Sequence, residues 1–215
     1  MALTKVRGKG LGTLGDGTAS DNSIIFDGNA QDFHIGLDDS ADSLTIGLGS
    51  TLGTTSHMVI DANGHITKPL QPAFLANMNS AQSLSADSLI TITWSQEIYD
   101  QNADYNPSTY KFVAPVTGKY QLSMFMRVNN IDRSSDYIDL RIRTSNRTYQ
   151  YVYDSDTESA SDIAFASFTL SVLADMDAND EAYCTIYVNS AVSASGGTTS
   201  VDTNDSAGFS GYLVA

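Results

Sequence analysis

One cysteine, three histidines, four prolines and eleven basic residues among 215 exclude a good deal before any motif is read. The single thiol, Cys184, has no partner for an internal disulfide. His34, His57 and His65 all lie in the first third of the chain, and no Gly-x-Ser-x-Gly elbow accompanies them. No nucleophile, base and orienter can be named together, so no catalytic residue is assigned and no enzyme is expected. Eleven cations against 25 carboxylates leave a formal charge of −14. Clustered cations that could release counterions from a phosphate backbone are lacking, which excludes nucleic acid as a partner. After Met1-Ala2-Leu3-Thr4 comes no apolar run of the kind a secretory signal needs, and no run anywhere is long enough for a membrane helix. The expectation is synthesis in a cytoplasm without membrane insertion.

What is present favours short strands. Hydrophobic residues make up 41 % and charged residues 17 %, a balance that supports a packed core. Turn chemistry comes from sixteen glycines together with Ser, Thr, Asn and Asp, and no helical period emerges. The reading is an all-β chain in three parts: an extended arm over 1–20, a β-hairpin stalk over 21–68 and a larger sandwich over 69–215. In the arm, Lys5, Arg7 and Lys9 precede the first acid, Asp16. Such a basic arm either docks on an acidic surface or is a solvated tail.

Residues 33–50 read FHIGLDDSADSLTIGLGS, with the triplet Ile-Gly-Leu written twice. Short alternating pieces surround it: Ile24 and Phe26; Phe33, Ile35 and Leu37; Leu44, Ile46 and Leu48; Met58 and Ile60; Ile66. Asn63-Gly64 suits a tight hairpin turn. Each strand exposes one apolar stripe, while Gly36 and Gly47 let another backbone come close. The stripe of Phe33, Ile35, Leu37, Leu44, Ile46 and Leu48 is covered either by other copies in a thin trimeric stalk or by the following domain in one small sandwich. A threefold axis could gather three copies of one histidine around a metal; the alternative is histidines that face water.

Pro69 and Pro72 mark the next boundary. Beyond it Ile138, Leu140 and Ile142 alternate with Tyr137, Asp139, Arg141 and Arg143, the pattern of a half-buried antiparallel strand. Segments 88–94, 119–128, 147–153, 163–173, 181–188 and 208–214 share that character and point to a sandwich or jelly roll. Cys184 alternates with Ile186 and Val188 and is read as a buried, inert thiol. Arg141, Arg143 and Arg147 beside Tyr149, Tyr151 and Tyr153 form a candidate surface, for a glycan or for a trimer interface. DMDANDE, at 175–181, opens like a calcium loop with Asp175, Asp177 and Asn179. Asp180 then replaces the turn glycine and Ile186 the twelfth-position Glu, so a polar turn is preferred and no metal is assigned.

The stretch WSQEIYDQNADYNPSTYKFVAPVTGKYQLSM, residues 94–124, resembles the C1q/TNF-like jelly roll. The family's aromatic, Asn-or-Asp and glycine positions fall on Trp94, Asp100, Tyr105, Phe112, Gly118, Tyr120, Leu122 and Met124, with Trp94, Leu122 and Met124 departing from its Phe or Tyr. QPAFLA at 71–76 resembles the family's first strand, and the closing FSGYLVA carries Phe209 and Gly211 of its last. This resemblance implies a ten-strand sandwich with adjacent first and last strands, knob-core roles for these residues, and a homotrimer. Residues 1–68 resemble the shafts of bacteriophage fibres. Joined, the two imply a non-enzymatic structural protein of a bacteriophage virion without cofactors, a short homotrimeric surface fibre or capsid decoration. Its arm, with Lys5, Arg7 and Lys9, would dock on major capsid or tail proteins. The alternatives are a tail-fibre protein recognising host surface glycan or an outer-membrane protein, and a soluble cellular C1q-like binding module.

Overall fold

The computed structural model describes residues 14–158 and 161–215, which divide into two units between Leu70 and Gln71. Lys5, Arg7 and Lys9 lie outside the described residues.

The first unit is an antiparallel meander of β1 (Asn22–Phe26), β2 (Phe33–Asp38), β3 (Ser43–Leu48), β4 (Ser56–Ile60) and β5 (Ile66–Thr67), paired in chain order. Its turns are built by carboxylates. Asp38 accepts hydrogen bonds from the Ser40 hydroxyl and the Ala41 amide, closing β2 onto β3. Asp61 accepts from the Asn63 and His65 amides across the β4–β5 turn, where Gly64 takes the left-handed conformation with φ 86°. Asn63-Gly64 therefore sits inside a wider loop rather than forming a two-residue turn on its own.

The second unit is a sandwich whose strands run from two to fourteen residues. These are β6 (Ala73–Asn77), β7 (Gln82–Ser83), β8 (Leu89–Thr91), β9 (Gln96–Asp100), β10 (Tyr105–Asn106), β11 (Lys111–Val113), β12 (Gly118–Ile131), β13 (Tyr137–Thr144), β14 (Thr148–Asp154), β15 (Ile163–Met176), β16 (Glu181–Val188), β17 (Ser193–Ala194), β18 (Gly197–Thr198), β19 (Ser200–Val201) and β20 (Ala207–Leu213). One sheet runs β7-β19-β12-β20-β6-β9, with β15 also pairing β12; the other runs β10-β11-β16-β13-β14, with β8 also pairing β16. The first and last strands of this unit lie side by side, Gly211 opposite Phe74. The segment expected at 88–94 pairs only over Leu89–Thr91, because the chain then dips inward to bury Ile92 and Trp94.

Between the sheets, Phe74 stacks on Tyr105 (5.1 Å) and Phe112 (4.9 Å) and meets Phe209 edge-on at 5.0 Å. Trp94, Tyr120, Leu122 and Met124 are buried with them. Gly211 belongs here for a steric reason: a Cβ would come within 2.7 Å of Leu122 and 2.8 Å of Phe74. Cys184 is wholly buried, and burial pushes its thiol far above the ordinary range, the Trp94 indole acting in the opposite direction.

Tyr105 ties this core to the backbone, its hydroxyl donating to the Trp94 carbonyl at 2.8 Å. Burial pushes its phenol far above the usual tyrosine range. The folded state then holds a proton that the unfolded chain releases near pH ~10. Stability from this group is complete below that pH and is lost as pH rises past it. Tyr105→Phe is expected to cost about 1–2 kcal/mol in urea unfolding at neutral pH, since a buried carbonyl loses its donor. The variant should also lose stability less steeply than the wild type above pH ~10.

Candidate functional site

Three surfaces carry the residues that could make contacts. The first is one face of the meander. Register aligns Ile24 with Ile35, Ile46 and Met58 across four strands, flanked by Phe26 and Phe33 with Leu48 on one side and Leu37, Leu44, Ile60 and Ile66 on the other. Seven of these are markedly exposed, from Ile46 at 38 % to Phe26 at 60 %. The opposite face buries His34, Asp38, Ser43 and Thr45 beside Ile25 and Val59, and the loop 49–55 returns over His34 and Asp38. His34 Nδ1 is 2.9 Å from the Gly49 carbonyl, and a Cβ on Gly47 would meet the Thr55 carbonyl at 2.3 Å. Close backbone approach at Gly36 and Gly47 thus comes from Asn22–Ser23 and Thr55 of the same chain. His34 is buried, contrary to a water-facing reading, because this loop covers it. His57 packs its ring against Phe33 at 5.9 Å, and the exposed His65 pairs with Asp61 at 2.8 Å.

The second surface is the outer face of the sheet holding β12, β15 and β20. Small polar side chains predominate, with Ser123 and Ser171 hydroxyls 2.7 Å apart and Gln121 donating to Ser171 and the Val172 carbonyl. Among them stand Phe125, Phe165, Leu173 and Tyr212, all exposed.

The third surface is the outer face of the other sheet, and it regroups the expected arginine–tyrosine cluster. Tyr149, Tyr151 and Tyr153 pair opposite Ile142, Leu140 and Ile138, so they point with the core residues; Tyr153 packs on Phe168 at 5.2 Å and Tyr151 at 6.2 Å. Arg141 and Arg143 point the other way. Arg141 places Nε and Nη2 on one oxygen of Asp139, at 2.9 and 2.6 Å, and this charge-assisted pair holds the guanidinium protonated well into the alkaline range. Arg143 lies over the ring of Tyr183 at 5.5 Å, which Lys111 also approaches at 5.2 Å while its ammonium binds Glu181. Alternation in YCTIYV already sets Tyr183 outward, but Lys111 is 72 positions away, and only strand pairing joins them.

The acidic turn at 175–181 is closed by its own bonds. Arg147 Nε and Nη2 reach the two Asp175 oxygens at 3.2 and 3.3 Å and hold that carboxyl below the usual range. Asp180 accepts from the Asp177 amide and the Asn146 side chain, each at 2.8 Å, while Asn179 takes a left-handed φ of 73°. Asp175, Asp177 and Asn179 therefore serve the turn. Among the described residues no three His, Cys, Asp or Glu side chains converge as metal ligands.

The model of the C1q domain family matches residues 73–214. Solved structures similar to the chain include the globular domain of zebrafish complement 1qA protein (14 % identity, 67 % of this chain and 98 % of that one, TM-score 0.47). Murine APRIL at pH 8.0 is similar at 7 % identity, with 67 % and 99 % covered and a TM-score of 0.49. Eiger TNF from S. frugiperda is similar at 15 % identity, with 68 % and 92 % covered and a TM-score of 0.48. No curated protein matches.

Asp139 is almost fully buried, its second oxygen has no partner, and Arg141 is the cation paired with it. Arg141→Ala is expected to cost about 2–3 kcal/mol in denaturant unfolding, because it strands that carboxylate. Asp139→Val combined with Arg141→Met should recover most of the loss, whereas a pair worth nothing would leave the single variant at wild-type stability.

Proposed function

The chain belongs to the C1q family through residues 73–214, and from that premise we propose that it is a non-enzymatic, homotrimeric structural protein of a bacteriophage particle. C1q and TNF-like domains are generally binding modules and typically form homotrimers. The outer face of β12, β15 and β20 is the threefold contact in this reading. Phe125, Phe165, Leu173 and Tyr212 expose apolar surface there, and the serines between them are small enough to let a second sheet approach.

The observation that carries the particle role is the order of parts in one chain. A basic arm with Lys5, Arg7 and Lys9 comes first, then a β meander with its apolar side outward, then the sandwich. An arm of positive charge suits attachment to an acidic protein surface. The sandwich is then displayed at the virion surface, as a short fibre or a capsid decoration. A second reading, a module that binds a host glycan or surface protein, is favoured by Arg143. This guanidinium rests on Tyr183, and neither an ion pair nor a hydrogen bond engages it among the described residues.

The purified full-length chain should sediment at three times its 23.0 kDa mass at micromolar concentration; a persistent single-chain species would overturn the trimer. Imaging particles that carry a C-terminal label should place the protein on the virion surface. A chain absent from purified particles would leave only the soluble-module reading.

A further inference from the structure

We infer that the apolar face of the meander is covered by the same face of two further copies, so that three meanders close into a three-sided β-prism. The inference rests on the trimer reading, and it assigns the partner of a surface that the sandwich does not explain.

Four observations lead to it. The meander is largely inside out: its buried side holds His34, Asp38, Ser43, Thr45 and glycines, with Leu52 and with Ile25 exposed on the edge strand, while Ile24, Phe26, Phe33, Leu37, Leu44, Ile46 and Ile66 face the other way. No lone sheet keeps such a face wet without cause, and this one is continuous across all five strands.

The dimensions also fit. Strands of five or six residues at about 3.4 Å per residue, spaced about 4.8 Å apart, make a face roughly 20 Å on each side. Three such faces set as a triangle lie about 6 Å from the common axis, close to half the ~10 Å gap between packed sheets. Ile, Leu, Phe and Met side chains fill that space and leave no channel.

No charge has to enter the axis. Asp21, Asp27, Asp32, Asp39, Asp42 and Asp61 lie in the turns and at the strand ends, Asp38 is on the opposite, buried face, and, among the described residues, the one titratable ring against the stripe is His57, at its Phe33 edge.

The face is too small to hold a free pair together. Its footprint of roughly 400 Å² is about half of the ~800 Å² per partner found in stable complexes. It needs a tether, and residues 68–72 supply one: five residues, two of them proline, join Thr67 to Ala73. With the sandwiches associated in threes, each meander meets its neighbours at an effective concentration on the order of millimolar.

The test uses the full chain with one new thiol, Cys184 being buried and inert. Ile46→Cys sits in the middle row of the stripe, and Asp42→Cys in the exposed β2–β3 turn is the control. Expected is a trimeric mass for both, a maleimide reaction at least about tenfold slower at position 46 than at 42, and disulfide-linked chains on oxidation of I46C alone. If I46C fails to accumulate, Leu37→Cys in the neighbouring row gives the same reading. A trimer in which position 46 reacts as fast as position 42 and does not cross-link overturns the prism and spares the trimer. A single-chain mass overturns both.

Discussion

A β-sheet has two faces, and water must be kept from whichever of them is apolar. In the sandwich that requirement is met within one chain, for the two sheets cover each other and enclose a core from Phe74 to Phe209. The meander by itself does not meet it, because its own covering loop, 49–55, lies over the polar side. The core of the second half can therefore be understood one chain at a time. The first half has an apolar face that nothing in its own unit covers.

The sequence made the strands of the sandwich legible because their alternation is local. Ile138, Leu140 and Ile142 are buried and the segment 181–188 pairs over its full length, both as period two dictates. What stayed hidden depends on pairing between distant residues. Tyr149, Tyr151 and Tyr153 plainly share a face, yet which face is decided by their register against β13. Arg147 finds Asp175 from 28 positions away, dividing a cluster that looks continuous in one dimension. Asp139 shows a further limit. Its outward direction is correct, but Arg141, two residues on along the same strand, folds over it and removes it from water.

The meander teaches the converse. Its stripe was readable from spacing alone, whereas the buried polar side was not, since Ser, Thr, His and Asp at alternate positions look like an ordinary wet face. Three features reverse that expectation. Gly36 and Gly47 have no side chain to hold neighbouring backbone away, the bulge between Ile46 and Gly47 turns β4, and the returning loop offers the Gly49 carbonyl to His34.

That polar side has its own consequence for specificity. A slip of one residue between paired strands exchanges the two faces entirely, and strands this short and rich in glycine resist slipping only weakly. Here a slipped β2 would drive Phe33, Ile35 and Leu37 under the loop. It would also pull His34 from the Gly49 carbonyl and Asp38 from Ser40 and Ala41, leaving buried polar groups unpaired. The hydrogen bonds beneath the meander thus hold the register that keeps the apolar stripe unbroken on the other side. Polar burial and apolar exposure, which look like two errors of folding, are linked: the first fixes the alignment that makes the second a continuous apolar surface.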